Sequence, residues 1–417
     1  MDLFAKCRRD RGPIGQYQEQ AHEYFAFPKL EGEIGPRMMF RGKEKIVWSL
    51  NNYLGLANQP EVRKADAEAA AKWGMAYPMG SRMLTGNTDY HIQLEKELAE
   101  FIGKPEVFLM NYGYQGMTSA IDSLLSRHDV VVYDAESHAC IIDGLRMHAG
   151  KRFVYKHNDI ADCEKQLKRA TELIKDTPGG ILVITEGVFG MSGNQGRIKD
   201  IVALKENYEF RLFVDDAHGF GTMGANSKGI GEEQDCMSGI DIYFSTFAKS
   251  MAGIGGFIGG EKDIINFMRY NMRSQIFAKA LPMPMVVGGL KRLELIRNHP
   301  EYRENLWTIV HALQSGLKNR GFNIGSTTSP VTPVYMESGV TDATQLVVDL
   351  RENYHIFCSM VMYPVIPKGL LILRLIPTAV HTLKDVEETL DAFSAVREKL
   401  EKGLYPKEIP QVSKVDA

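Results

Sequence analysis

Short apolar runs that each end in polar side chains are the feature that most constrains the fold of this chain. The runs are Val107–Asn111, Val130–Asp134, Ile181–Glu186, Phe210–Asp215 and Ile242–Thr246. Helical patterns separate them, so the region from Pro60 to about Leu281 predicts a doubly wound, mostly parallel α/β sheet. Because ligands bind beyond the carboxyl ends of parallel strands, we expect these polar residues to share one crevice.

Lys249 follows the last of these runs and precedes a glycine-rich stretch that ends at Gly260. A strand fixes the backbone before the amine, the hydroxyls of Ser245 and Thr246 are suited to binding a phosphate, and glycines let main chain approach a flat cofactor. The alternative is a surface lysine after a buried strand, since most lysines are exposed. The pattern favours a Schiff-base lysine for pyridoxal phosphate.

An acid that suits the same cofactor ends the preceding run. A buried carboxylate keeps the pyridine nitrogen of pyridoxal phosphate protonated, and Asp215 is the candidate for this role. We expect His218 to hydrogen-bond the phenolic oxygen of the ring. The alternative for this segment is an acidic turn with a satisfied histidine.

Two further segments follow strands of the same sheet. A helix beginning near Gly113 and Tyr114 would offer backbone N–H groups to the phosphate. His138 would lie over the cofactor ring, although in isolation it would be an ordinary core or surface histidine.

Gly219–Gly224 matches the dinucleotide fingerprint. This segment does not directly follow a strand, and no helical pattern begins after it, so we do not expect a nicotinamide enzyme.

Several ordered motifs together resemble the α-oxoamine synthases, which are fold-type I pyridoxal phosphate enzymes. Within the family, the likeness is greatest to bacterial enzymes that condense serine with a palmitoyl thioester. The motifs span nearly the whole chain: Asn51–Leu56, Gly80–Asn87, Asp134–Ala139, Thr185–Phe189, Val214–Gly219, the Lys249 segment and Arg374–Thr382.

The resemblance implies a role for each matching residue. Lys249 would bind the cofactor aldehyde, Asp215 the pyridine nitrogen and His218 the phenolic oxygen, with His138 stacked on the ring. The phosphate would be held by Thr246, Gly113 and Tyr114, and the strand-end pattern adds the hydroxyl of Ser245 to this set. The resemblance further implies that Arg374 binds the carboxylate of the amino acid, and that Asn52 and Ser81 contact the substrate. It also implies a homodimer with its site at the subunit boundary.

The chain departs from the family pattern at three places. Gly190 and Ala248 stand where the family usually has serine, and Gly190 predicts extra room beside the substrate. Lys279 lies where relatives have small hydroxyl residues that reach the phosphate of the neighbouring subunit. Two interpretations of Lys279 stay open, a contact with phosphate or an acidic acyl carrier, and a solvated surface lysine.

The implied reaction is the decarboxylative condensation of an amino acid with an acyl thioester, giving an α-amino ketone. The resemblance favours serine as the amino acid and a long acyl chain on the thioester. Glycine, alanine and cysteate suit the same chemistry. The acyl donor is either acyl-CoA or acyl carrier protein. The alternatives are other family activities, among them 8-amino-7-oxononanoate synthase, glycine C-acetyltransferase and cysteate acyltransferase, an aminotransferase or lyase of the same fold, or a non-catalytic binding protein.

Composition excludes several other classes of protein. A net charge of −3 gives no field that would attract nucleic acid or an acidic membrane. The 5 cysteines are widely spread and lack zinc spacing, which predicts a reducing, cytoplasmic setting and no metal. The chain shows no signal peptide, and no apolar run approaches the roughly 18 residues that a spanning helix needs.

At 417 residues, the chain exceeds the usual limit for one hydrophobic core. We expect an N-terminal arm over residues 1–60, a large cofactor-binding α/β domain over 61–285, a smaller α+β domain over 286–405 and a loose tail over 406–417. The segment Leu281–Pro284 marks the predicted boundary between the two folded domains.

Replacement of Lys249 by alanine is expected to abolish turnover, because the amine is needed for cofactor attachment and for proton transfer at Cα. Release of thiol and CO₂ from the substrate pair measures this loss. Normal activity in the Lys249→Ala protein would remove the proposed catalytic role.

Overall fold

The computed structural model describes residues 2–9, 12–337 and 339–408. Within these ranges, the chain forms two compact units. Unit one combines the described residues of Met1–Leu50, Met191–Gly193 and the described residues of Asn305–Ala417. Unit two combines Asn51–Gly190 and Asn194–Glu304, and it contains the predicted cofactor lysine and most of the other predicted site residues.

The described residues form sixteen α-helices, fourteen β-strands and three short 3₁₀ helices. The helices are α1 Leu3–Arg9, α2 Gly12–Gly15, α3 Gln18–Ala21, α4 Pro60–Trp73, α5 Asp89–Ile102, α6 Gly113–Leu124, α7 Ala139–Met147, α8 Ile160–Ile174, α9 Ile198–Ala203, α10 Ile230–Glu233, α11 Lys262–Asn271, α12 Arg273–Ile276, α13 Met283–Asn298, α14 Glu301–Asn319, α15 Val340–Glu352 and α16 Leu383–Glu401. The strands are β1 Leu30–Glu31, β2 Arg37–Phe40, β3 Lys43–Val47, β4 Glu106–Met110, β5 Val130–Asp134, β6 Lys151–Tyr155, β7 Ile181–Glu186, β8 Arg211–Asp215, β9 Ile242–Thr246, β10 Gly256–Gly260, β11 Thr332–Tyr335, β12 Ile356–Phe357, β13 Ser359–Val361 and β14 Ile372–Leu375. The 3₁₀ helices are Leu56–Asn58, Leu204–Glu206 and Met237–Gly239.

Unit two is built on a seven-stranded sheet with the order β4-β10-β9-β8-β7-β5-β6. Only β10 runs antiparallel to its neighbours, while the pairs from β9 to β6 are parallel. The predicted doubly wound, mostly parallel sheet is therefore confirmed. Strand β7 is buried at all six positions, as expected for a strand covered on both faces.

The apolar core of unit two lies where α6 and α7 cover one face of this sheet. Its members include Met117 and Ile121 from α6, Ile141 and Leu145 from α7, and Phe213 from β8. Gly144 permits the close approach of the two helices, since a Cβ there would stand 2.8 Å from the side chain of Ile121. This packing holds α6 and α7 against each other on the sheet.

Unit one contains two smaller sheets, ordered β1-β2-β3-β12 and β11-β14-β13. Strand β12 pairs in parallel with β3, so Ile356 lies opposite Ile46. Helices α14, α15 and α16 supply most of the remaining core. Helix α16 begins with a capping box in which Thr382 and Asp385 exchange side-chain and backbone hydrogen bonds.

The two units differ from the predicted domains in two respects. The N-terminal segment pairs with the C-terminal part through β3 and β12, whereas we predicted a separate arm. Helix α13 lies in unit two because it packs against α4, where Arg292 binds Asp66 through two hydrogen bonds of 2.8 and 2.7 Å. The division therefore falls after Glu304 instead of after residue 285. Residues 409–417 of the predicted tail lie outside the described residues.

A buried arginine joins distant parts of unit one. Arg351 is 2% exposed and donates hydrogen bonds to the backbone carbonyls of Tyr24, at 2.5 Å, and Cys358, at 3.1 Å. Its guanidinium carbon lies 4.0 Å from the ring centroid of Phe357. Burial lowers the pKa of Arg351, and the surrounding carbonyls and aromatic faces compensate for the lost hydration.

Replacement of Arg351 by methionine is expected to lower the free energy of unfolding by about 2 to 5 kcal/mol, because two buried carbonyls lose their donor. Urea unfolding measures this change. The matched control is Arg320→Met, which removes only the surface ion pair with Asp391 and should cost less than about 1 kcal/mol. Equal effects of the two substitutions would contradict the role of the buried guanidinium.

Candidate active site

Acidic and hydroxyl side chains end adjacent strands of the seven-stranded sheet. Asp134 ends β5, Glu186 ends β7, Asp215 ends β8 and Thr246 ends β9. Because these four strands are parallel neighbours, their polar ends lie along one edge of the sheet. This is the convergence that the sequence predicts.

Asp215 is a buried acid with a cation nearby. The residue lies at the end of β8 and is 5% exposed. Its Oδ1 accepts a hydrogen bond from the backbone N–H of Ala217 at 3.1 Å. Burial raises the pKa of Asp215, while the positive charge of Lys249, and that of His138 when its ring is protonated, act in the opposite direction. Burial also raises the pKa of Glu186 and Asp216, and the charge of Lys249 opposes this rise. The predicted lysine and acid therefore interact electrostatically.

His138 caps the first turn of α7. Its backbone N–H donates to Oε1 of Glu186 at 2.5 Å, and its ring meets the ring of Tyr114 edge to face at 6.1 Å. Burial lowers the pKa of His138, Asp215 raises it and Lys249 lowers it. The fold thus brings His138, Asp215 and Lys249 together.

His218 is oriented by Tyr53, whose hydroxyl lies 2.7 Å from Nδ1 of the imidazole. The other ring nitrogen faces Gly190, where a Cβ would stand only 2.3 Å from Nε2 of His218. The extra room expected from Gly190 is therefore wrong, because the imidazole fills the space that a side chain there would take. The missing serine instead allows this position of His218.

The start of α6 lies against the end of β9. A Cβ on Gly113 would come within 2.8 Å of Oγ1 of Thr246, so only glycine permits this approach. Thr246 donates to the carbonyl of Gly255 at 3.0 Å and accepts the N–H of Ala248 at 3.2 Å. The N–H groups of the first turn of α6 therefore lie beside a hydroxyl at the strand end, an arrangement suited to an anion.

Tyr114 lies in the first turn of α6 and is 48% exposed. Its hydroxyl donates a hydrogen bond to Oδ2 of Asp143. This hydrogen bond, aided by burial, raises the pKa of Tyr114 to about 12. The phenol therefore stays protonated at neutral pH.

The four remaining predicted site residues are described by their own contacts and burial. Ser245 lies on the face of β9 opposite Thr246, and its hydroxyl donates to the carbonyl of Asp216 at 3.4 Å. Asn52 accepts the N–H of Ala57 at 3.2 Å and so holds a turn. The hydroxyl of Ser81 is buried and has no hydrogen-bond partner among the described residues. Arg374 is buried on β14 of unit one.

Asp216 is a buried acid whose role the sequence pattern does not indicate. Its Oδ2 accepts the N–H of Ile230 at 2.7 Å and the hydroxyl of Tyr243 at 2.8 Å. Glycines surround the carboxyl group, since a Cβ at any of them would lie 2.0 to 2.1 Å from its oxygens: Gly187, Gly219 and Gly229. Burial raises the pKa of Asp216 to about 8. Gly219, the first glycine of the apparent dinucleotide fingerprint, therefore makes room for this acid.

Comparison with known proteins identifies the class. Residues 43–393 match the family model of aminotransferase class I and II. A cysteate-C-fatty acyltransferase of Capnocytophaga ochracea is 57% identical over 97% of this chain and 96% of that protein. A serine palmitoyltransferase of Bacteroides ovatus is 35% identical over 89% of this chain and 94% of that protein.

A solved structure gives the same result for the fold. Serine palmitoyltransferase from S. paucimobilis, solved with a bound PLP–myriocin aldimine, aligns with a TM-score of 0.88 at 29% identity, covering 97% of this chain and 100% of that chain. The chain belongs to the aminotransferase class I and II family and has the fold-type I architecture of pyridoxal phosphate enzymes. Within that class it is an α-oxoamine synthase, which confirms the resemblance seen in the sequence.

The residues at the sheet edge fit pyridoxal phosphate, the cofactor of this family. Asp215 supplies a buried carboxylate, Lys249 supplies an amine in its field, and the tight approach of Gly113 to Thr246 leaves helix N–H groups beside a hydroxyl.

Among the described residues, no cluster of three or more His, Cys, Asp or Glu side chains is arranged to hold a metal ion. No helix in the described part of the chain is long and apolar enough to cross a membrane.

Gly190→Ser is expected to lower kcat by about 10- to 100-fold, because the new side chain displaces the imidazole of His218 from Tyr53. Steady-state kinetics measure the loss. Gly180→Ser is the matched control, since the nearest atom to a Cβ there is 3.8 Å away. An unchanged kcat for Gly190→Ser would show that His218 does not need this position.

Asp216→Asn is expected to flatten the dependence of stability on pH between about 4 and about 8. The folded state keeps the proton of Asp216 in this range whereas the unfolded chain releases it, so wild-type stability falls as pH rises by up to about 1.4 kcal/mol per pH unit for one proton. Urea unfolding across this range measures the slope. The exposed substitution Asp176→Asn should leave the slope unchanged, and an equally steep slope in Asp216→Asn would contradict the shifted pKa.

Proposed function

We propose that this α-oxoamine synthase condenses cysteate with a long-chain acyl thioester, releasing CO₂ and the free thiol. The observation that carries the proposal is the 57% identity, over nearly the full length of both chains, to a protein named cysteate-C-fatty acyltransferase. The identity to a serine palmitoyltransferase is 35%. From the sequence alone we expected serine first and cysteate as an alternative, and the comparison favours the alternative.

Pyridoxal phosphate supplies an electron sink for the bonds that break at Cα of the amino acid. We propose that Lys249 binds it covalently and that Asp215 pairs with its ring nitrogen. The burial of Asp215 beside a cation supports this role, because a carboxylate in a dry site needs a positive partner. The other proposed cofactor contacts are His138, His218, Gly113, Tyr114 and Thr246. Ser245 lies on the opposite face of its strand, and we do not retain it in the set.

Lys249 is the proposed base that removes the proton from Cα. It lies half-buried in the turn after β9, where it interacts with the carboxyl groups of Asp215 and Glu186. A lysine amine held at one place can remove the proton and return it to the product. We propose His218 as a hydrogen-bond partner of the phenolic oxygen, with Tyr53 fixing the orientation of its ring.

Substrate recognition and assembly rest on the family resemblance. We propose that Arg374 binds the carboxylate of the amino acid and that Asn52 and Ser81 line its path. The acyl donor is a fatty acyl thioester of either coenzyme A or an acyl carrier protein. We further propose that the chain acts as a homodimer in the cytoplasm and takes part in lipid biosynthesis.

A substrate matrix tests the proposed function. Cysteate, serine, alanine and glycine are each offered with palmitoyl-CoA and with palmitoyl carrier protein, and free thiol and CO₂ are measured together. We expect kcat/KM for cysteate to exceed that for serine by about tenfold or more, the ratio that corresponds to 1.4 kcal/mol of preferential transition-state binding.

Three outcomes would change the assignment. A preference for serine would make the chain a serine palmitoyltransferase, and thiol release without CO₂ would exclude decarboxylative condensation. Formation of a keto acid from the amino acid without consumption of thioester would indicate an aminotransferase of the same fold. The Lys249→Ala protein serves as the inactive control.

A further inference from the structure

Cys140 lies between two residues of the proposed cofactor site. Its Sγ is 2.9 Å from Nδ1 of His138 and 4.0 Å from Oδ2 of Asp215. The residue is 3% exposed and occupies the second position of α7. None of the steps proposed above uses this thiol, although it contacts both a ring-stacking histidine and the acid assigned to the ring nitrogen.

Nδ1 of His138 faces two hydrogen-bond donors. The backbone N–H of Cys140 lies 3.3 Å from it, because His138 caps α7 with its own side chain. The thiol is the second donor, since burial raises the pKa of Cys140 and the nearby acids Asp215 and Glu186 raise it further, so that the thiol keeps its proton. Of the two acceptors near Sγ, Nδ1 at 2.9 Å is closer than Oδ2 of Asp215 at 4.0 Å. A ring nitrogen that accepts hydrogen bonds carries no proton, so the proton of a neutral imidazole lies on Nε2.

We propose that Cys140 is a positioning residue, which holds His138 as the neutral tautomer protonated at Nε2 and fixes the orientation of its ring. The inference rests on the proposed function in one respect, the placement of His138 in the cofactor site. In this tautomer Nδ1 is directed to the first turn of α7, and the single N–H donor of the ring points away from that turn. A serine offers a similar side-chain donor, whereas an alanine leaves only the backbone N–H of residue 140 at Nδ1.

The charged groups around His138 determine how its protonation responds to the loss of the thiol. Asp215 at the end of β8 favours the protonated ring, and Lys249 after β9 opposes it. Glu186 at the end of β7 accepts the backbone N–H of His138, and Tyr114 of α6 meets its ring edge on. Burial, the largest influence, lowers the pKa of His138. A donor at Nδ1 also stabilises the neutral form, so its removal should raise this pKa.

The direct test is ¹⁵N NMR of histidine-labelled, pyridoxal phosphate-loaded protein, in which His138→Asn assigns the signals. In the wild type we expect the Nδ1 shift of an unprotonated nitrogen and the Nε2 shift of a protonated one. Because only the backbone N–H of residue 140 then remains at Nδ1, Cys140→Ala should increase the share of the other tautomer and raise the pKa of His138 by about 0.5 to 1 unit, whereas Cys140→Ser should keep the wild-type tautomer.

Kinetics give a second measurement. The acidic limb of the pH profile of kcat/KM should move to higher pH in Cys140→Ala and stay in place in Cys140→Ser. Cys163→Ala is the matched control for a cavity, since Cys163 is a fully buried cysteine of α8 in the same unit, and it should leave the limb unchanged. Thermal unfolding of each protein measures any loss of stability.

Three results would overturn the proposal. The first is a protonated Nδ1 in the wild type, which needs no variant and decides the matter even where Cys140→Ala fails to fold. The second is a wild-type tautomer and acidic limb in Cys140→Ala. The third is a shift in Cys140→Ser as large as that in Cys140→Ala. Because the NMR result does not depend on the amino acid used, the proposal can fail while the substrate assignment stands, and the reverse also holds.

Discussion

A carboxylate buried without water needs a positive charge, a proton or several hydrogen-bond donors, and this requirement organises the carboxyl edge of the large sheet. Glu186, Asp215 and Asp216 are all buried at this edge, and each meets the requirement differently. Asp215 lies in the field of Lys249, Glu186 accepts the backbone N–H of His138, and Asp216 receives Ile230 and Tyr243. Asp215, which has the cation nearby, is suited to a protonated ring nitrogen. Glu186 and Asp216 instead accept backbone N–H groups from segments beside the site.

Much of this arrangement could be predicted from the sequence, because it follows from patterns that are local in the chain. Short apolar runs with polar ends define buried parallel strands, and parallel strands bring their ends to one edge. The grouping of Asp215, His138 and Lys249 follows from this pattern. Strand periodicity could also have separated Ser245 from Thr246, since consecutive strand residues point to opposite faces of a sheet.

Other features depend on atoms that are distant in the sequence. The position of Gly190 is explained by the imidazole of His218, and Gly219 is explained by the carboxyl group of Asp216. A glycine in a sequence does not indicate which side chain requires its small size. The domain boundary was also predicted too early, because Pro282 caps α13 and Pro284 lies in its first turn, and this helix packs on α4. Proline marks the start of a helix as readily as the end of a domain.

The buried guanidinium of Arg351 has a practical consequence for handling the protein. Its contact with the carbonyl of Tyr24 ties the amino-terminal segment into the folded core of unit one, through a bond that spans most of the sequence. A truncation that passes Tyr24 therefore removes an acceptor from a buried cation. Shortened versions prepared for crystallisation should begin upstream of Tyr24.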